Sequence, residues 1–165
     1  MILHGKDPAI WSREDCCNVS TYLTHANDTT IAVDFDGTCV VDHYPKVGPT
    51  NPGAEQVLAA LQLGGAALCL WTCRRGKDLQ RAVDWFWDKR LPLLGVNYNP
   101  NDSFYKKNFK ETTLDTRANT KMFCDIYIDD RALGTPMYDA ENGTKAVDWN
   151  ILFFKYLLPK MRNAQ

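Results

Sequence analysis

No apolar run in the sequence approaches the roughly 20 residues that a membrane helix needs. The opening residues, MILHGKD, lack the apolar centre of a secretory signal, so a cytoplasmic address is the expectation. Charge of one sign is also missing. A net charge of −1 gives no general attraction to nucleic acid or to an anionic membrane surface. Histidine is scarce, and His4, His25 and His43 are scattered rather than clustered with cysteine, which excludes a zinc site of ordinary ligand spacing. The six cysteines, Cys16, Cys17, Cys39, Cys69, Cys73 and Cys124, show no disulfide framework of a small secreted chain. Cys69 and Cys124 sit in or beside apolar runs, where a free thiol behaves as a small hydrophobe. Internal repeats and low-complexity tracts are absent as well. What is left is a 165-residue chain, 45% hydrophobic and 24% charged. That is enough for one domain over 1–165 with a proper core, and residues 1–29 read as an extension packed on or beside it.

Along the chain, short apolar runs alternate with helical periodicity. A short helix is expected to start near Ser12. Thr30 to Phe35 (TIAVDF) is a β-branched apolar run ending in acid and glycine, which reads as a buried strand. Residues 42–51 carry Pro45, Gly48 and Pro49 and read as a loop. Asn51 is expected to cap a helix whose first position is Pro52, with Val57, Leu58 and Leu61 inward and Gly64-Gly65 as its stop. Ala66 to Trp71 (AALCLW) is a second buried strand. Lys77 to Arg90 is helical, with Leu79, Val83 and Phe86 or Trp87 on one face. Trp85 and Trp87 read as core or half-buried residues. Gly95 to Tyr98 is a third strand and Asp125 to Ile128 a fourth, and Trp149 to Leu158 is a closing helix. Strands alternating with helices predict an α/β three-layer sandwich around a mostly parallel, Rossmann-like sheet. In such sheets ligands sit at the carboxyl ends of the strands.

Three of the expected strands end in polar, reactive residue types. The first ends in Asp34-Phe35-Asp36-Gly37-Thr38, the second in Thr72 and the fourth in Asp129-Asp130. In extended backbone Asp34 and Asp36 point to one side, and Gly37 permits a sharp turn after them. Carboxylates gathered in this way repel each other and are costly to bury unless a cation neutralises them. Oxygen ligands of this kind suit magnesium, which binds through one or two carboxylates and substrate phosphate. A carboxylate beside such a metal can attack phosphorus, and a second acid can protonate the leaving oxygen.

The ordered set Asp34-Phe35-Asp36-Gly37-Thr38, Thr72, Lys121 and Asp129-Asp130 resembles the four motifs of the haloacid dehalogenase superfamily. The resemblance implies a phosphohydrolase with a haloacid-dehalogenase-like fold and Mg2+ as its metal. It makes Asp34 the nucleophile and a metal ligand, and Asp36 the general acid/base offering its backbone carbonyl to the metal. Thr72 and Lys121 would hold the phosphoryl group, with Thr38 and Arg74 touching substrate. Asp129 would bind the metal, and Asp130 would help to position it. The stretches Val33 to Thr38, Tyr44-Pro45, Leu70 to Arg74 and Asp125 to Arg131 also resemble small, nearly capless members from bacteria and phages, whereas residues 1–29 and 137–147 do not match them. No sizeable cap is expected. The site should be open, rimmed by residues 39–50 and by a basic loop around Lys106 to Lys110.

Each role has a plainer competitor. Thr72 read alone is a strand-end hydroxyl bonded to backbone. Lys106, Lys107 or Lys110 can replace Lys121 as the phosphate-binding cation. Arg74 and Arg75 face either substrate or an ion pair with Asp78. Asp115, Asp139 and Asp148 read as turn or surface acids. A response-regulator receiver uses similar residue types, but there the acid pair precedes the phospho-accepting aspartate, the reverse of the order here. A dehalogenase has no need of an acid at position 36. The expected partner is a phosphorylated substrate, either a small molecule or an exposed phosphate on a larger one, such as a nucleic-acid end. A binding or regulatory module on the same fold is the alternative.

Overall fold

The computed structural model describes residues 5–101 and 121–162. Four short strands, β1 (Thr30–Val33), β2 (Ala67–Leu70), β3 (Leu93–Val96) and β4 (Ile126–Ile128), form one sheet in the order β3-β2-β1-β4. Every neighbouring pair is parallel. The protein is therefore an α/β structure with a Rossmann-like sheet, as the alternating pattern predicted. The strands are nearly continuous apolar runs because both faces are buried. Ile31, Val33, Leu68 and Leu70 belong to the main core, while Ala32 and Cys69, at the alternate positions, join Met122 and Cys124 on the other face.

The helices form where the apolar spacing placed them, with shifted ends. Helix α1 (Arg13–Ser20) starts at Ser12, whose side chain and that of Asp15 cap each other reciprocally. Trp11, Cys16, Val19, Leu23 and Ala26 lie in the main core, so the N-terminal residues are part of the packing rather than an appendage. Helix α2 (Ala54–Leu63) ends at Gly64 as expected, but its N-cap is Gly53 at φ +82°, not Asn51. Asn51 is fully buried and spent elsewhere. Its amide donates to the carbonyls of Thr38 and Val147, both at 2.9 Å, and its oxygen accepts from the Tyr138 hydroxyl at 2.8 Å. Helix α3 (Gly76–Asp88) buries Ala82, Trp85 and Phe86, and leaves Trp87 82% exposed, which corrects its reading as a core residue.

Strand β3 begins two residues before the expected Gly95. Gly95 lies within the strand opposite Cys69, and the chain turns at Asn97, where φ is +57°. Residues 137–147, which matched nothing in the resemblance, form an antiparallel hairpin of β5 (Met137–Asp139) and β6 (Lys145–Val147). The hairpin is tied to the loop after β1, because Val147 N donates to Gly37 O at 2.8 Å. A C-terminal helix follows, with Asp148 as its cap. It runs through Trp149–Ile151, a wider π-helical stretch Leu152–Leu157 and Leu158–Met161, and buries Trp149 and Phe153.

Candidate functional site

The carboxyl ends of the strands are held in line by backbone bonds that continue the sheet one residue further. Asp34 N donates to Ile128 O, Trp71 N to Val33 O and Asn97 N to Leu70 O, at 2.9, 2.8 and 2.7 Å. Beyond Phe35 the chain leaves extended geometry and winds around one carbonyl. Phe35 O accepts from Thr38 N, Cys39 N and Val40 N at 3.3, 2.8 and 3.1 Å. Gly37 makes that turn possible. Its φ is +74°, and a Cβ there would stand 2.7 Å from Asp130 Oδ2.

This geometry collects three acids. Carboxylate oxygens of Asp34, Asp129 and Asp130 lie within 4.8 Å of one another. Thr38, fully buried, links two of them: its hydroxyl donates to Asp34 Oδ2 at 3.2 Å and accepts from Asp130 N at 3.1 Å. The expected substrate contact at Thr38 is thereby corrected. The hydroxyl has no exposed surface and serves to position the acids. Asp129 is shaped locally, its carboxylate accepting from Arg131 N at 2.7 Å. Burial, with repulsion from Asp129 and Asp130, pushes the Asp34 carboxyl up to about 7. Burial raises Asp130 as well, although Arg131 pairs with it at 3.1 Å. Among the described residues, three crowded acids with one exposed guanidinium paired to them form a site short of positive charge. An all-oxygen donor set fits a hard divalent cation.

Asp36 does not join that group. Both of its oxygens are taken by Arg74, from Nε at 2.7 Å and Nη2 at 2.6 Å. Arg74 is only 2% exposed, and its remaining donors go to the carbonyls of Pro45, Lys46 and Asp78. With every N–H occupied inside the protein, Arg74 has none to offer substrate, and its carboxylate partner is Asp36 rather than Asp78. Asp78 pairs with Arg81 instead.

Thr72 is half-buried at the end of β2, its hydroxyl accepting from Arg74 N at 3.2 Å. Its backbone N–H is held by the side chain of Asn97 at 2.8 Å, a contact that the sequence reading missed. An asparagine just after an apolar strand, a residue type tolerant of positive φ, was the available signal. Lys121 is exposed, with Nζ 5.3 Å from the Tyr127 ring centre, and forms no ion pair with the three acids. Tyr127 pairs in register with Ala32, two residues before Asp34, so the ring beside Lys121 lies on the sheet face towards which Asp34 alternates. Lys106, Lys107, Lys110 and Asp115, and with them the basic loop expected at the rim, lie outside the described residues. Between Thr38 and α2 only isolated bridges occur, pairing Asp36 with Val40 and Val40 with Thr50.

The chain is similar to a solved structure described as a conserved protein coded by a locus from Bacteroides thetaiotaomicron. The two are 32% identical, with 78% of this chain and 91% of that chain covered and a TM-score of 0.56. The chain belongs to that protein's family. The description carries no activity, so membership establishes shared ancestry and architecture and leaves the chemistry to the residues. No family model and no curated protein matches.

Proposed function

We propose that this protein is a magnesium-dependent phosphohydrolase of the haloacid dehalogenase type, acting on phosphate monoesters through an aspartyl-phosphate. The observation that carries the reading is the grouping of Asp34, Asp129 and Asp130 within 4.8 Å at the carboxyl ends of parallel strands. Asp34, directly after β1, and Asp129-Asp130, after β4, come from the ends of adjacent strands. Asp34, Asp129 and the backbone carbonyl of Asp36 would hold the ion, with Asp130 supporting it. Bound magnesium would neutralise the phosphoryl oxygens and the crowded carboxylates.

A carboxylate oxygen of Asp34 attacks phosphorus. The phosphorus–ester oxygen bond breaks, and its electron pair leaves with the oxygen, which takes a proton from Asp36. Water then attacks phosphorus of the aspartyl-phosphate and gives a proton to Asp36, while the phosphorus–Asp34 oxygen bond breaks and its electron pair returns to the Asp34 carboxylate. The net reaction is ester plus water to alcohol plus inorganic phosphate. The Thr72 hydroxyl, which accepts from Arg74 N, still has its own proton to donate to a phosphoryl oxygen. Lys121, beside the Tyr127 ring, supplies the cation.

Among the described residues no helix is long and apolar enough to cross a membrane. The six free cysteines agree with a reducing, cytoplasmic compartment. A screen of phosphate esters with magnesium, spanning aryl phosphates, sugar phosphates, nucleotides and phosphorylated oligonucleotide ends, tests the reading. Turnover that disappears in Asp34→Asn supports it. Binding of phosphorylated ligands without turnover would instead favour a regulatory module on the same fold.

A further inference from the structure

Resting on that phosphohydrolase reading, we infer that Arg74 is a positioning residue that fixes the Asp36 carboxylate for proton transfer and ties it to the site's rim. A single Nε contact would leave the Asp36 carboxylate free to swing. The fork of Nε and Nη2 sets both oxygens at 2.7 and 2.6 Å and defines the plane as well as the position of the group.

The guanidinium is itself immobilised. It lies 5.1 Å from the centre of the buried Phe35 ring and 5.3 Å from that of Tyr44, which covers it from the solvent side and is 61% exposed. Nη1 donates to Pro45 O at 3.1 Å and Nη2 to Lys46 O at 2.8 Å, so the loop after the Asp36 turn is fastened to the same group. The backbone N–H of Arg74 holds the Thr72 hydroxyl at 3.2 Å. One residue thus joins the proton-transferring acid, the hydroxyl that meets phosphate and the rim of the opening. An arginine buried this deeply is expensive to keep unless its contacts are complete, and here they are. Lysine carries the charge but not the fork.

The role separates from simple stabilisation by its dependence on the leaving group. As the phosphorus–oxygen bond breaks, an alkyl leaving oxygen needs the Asp36 proton, whereas 4-nitrophenolate departs largely without it. The full-length protein, with magnesium, is compared on 4-nitrophenyl phosphate and glycerol 2-phosphate for wild type, Arg74→Lys, Asp36→Asn and the double variant. Arg74→Lys should lower kcat on the alkyl ester by on the order of 10-fold more than on the aryl ester, a part of the full acid/base contribution. KM should change little, and the substitution should cost almost nothing further in the Asp36→Asn background. Tyr44→Ala, which removes only an exposed ring, should show the same bias at smaller size and remains informative if Arg74→Lys does not fold. Losses equal on both esters and multiplicative with Asp36→Asn overturn the inference, as does any gain in rate. The control is wild-type turnover abolished in Asp34→Asn. Failure of that control sinks the phosphohydrolase reading and this inference together, while leaving-group-independent losses with the control intact sink the role of Arg74 alone.

Discussion

Asp130 and Gly37 occupy each other's space: Asp130 Oδ2 stands 2.7 Å from where a Cβ on Gly37 would be. The third acid of the site can therefore close on the β1 turn only because residue 37 has no side chain. Gly37→Ala faces two costs, the contact with Asp130 and a φ of +74°, of which the backbone conformation alone costs about 1–3 kcal/mol. We expect a lower Tm and, in the protein that remains folded, weaker magnesium binding, because Asp130 must move. Thermal scans with and without magnesium measure both, and an unchanged magnesium-induced shift in Tm would argue against the coupling.

Asp34 gives a pH-dependent stability. Its carboxyl, raised from 3.8 to about 7 chiefly by burial, holds a proton in the folded chain that the unfolded chain releases. The stability it contributes is fully present below about 3.8 and is lost as pH rises through about 7. In chelator at pH 8, Asp34→Asn should therefore melt several degrees higher than wild type. The gap should close towards pH 4, where both side chains are neutral. Melting curves for the two proteins that stay parallel across this range would contradict the account.

Asp129→Ala removes one of the three converging carboxylates. Magnesium should raise the Tm of wild type and have little effect on the variant, and activity should not return at ordinary magnesium levels. Isothermal titration with magnesium reads the binding directly. Equal affinity in both proteins would show that the acids are not the metal site.

Asn51→Ala should destabilise without touching the chemistry directly. It takes one donor from the carbonyls of Thr38 and Val147 and the acceptor from the Tyr138 hydroxyl, with about 1–3 kcal/mol expected for each buried group left unpaired. Trp149 Nε1 also donates to Thr38 O at 2.8 Å, so that carbonyl keeps one partner and the total should fall short of three full penalties. Urea denaturation measures the loss. A change within a few tenths of a kcal/mol would mean that water replaces the amide readily.

The sequence by itself determined the order of strands and helices, the both-faces burial of the sheet and the identity of the acids at its carboxyl ends. These follow from local regularities: runs of β-branched and apolar residues, a 3.6-residue stripe, and a glycine after paired aspartates. Asp34, Asp129 and Asp130 were legible because each stands directly after a recognisable strand. What the tertiary structure decided were the partners of polar residues far apart in the chain. Asn51 looked like a helix cap because asparagine before proline commonly is one, yet its amide joins residues 38 and 147. Thr38 looked like a substrate contact until packing buried it between two acids. Arg74 was expected to face either substrate or Asp78, but Asp36, 38 positions earlier, reaches it only once β1 and β2 pair. A side chain's type limits what it can bond, but which partner it meets is set by how the strands register and where the loops between them are pinned, and no short stretch of sequence carries that information.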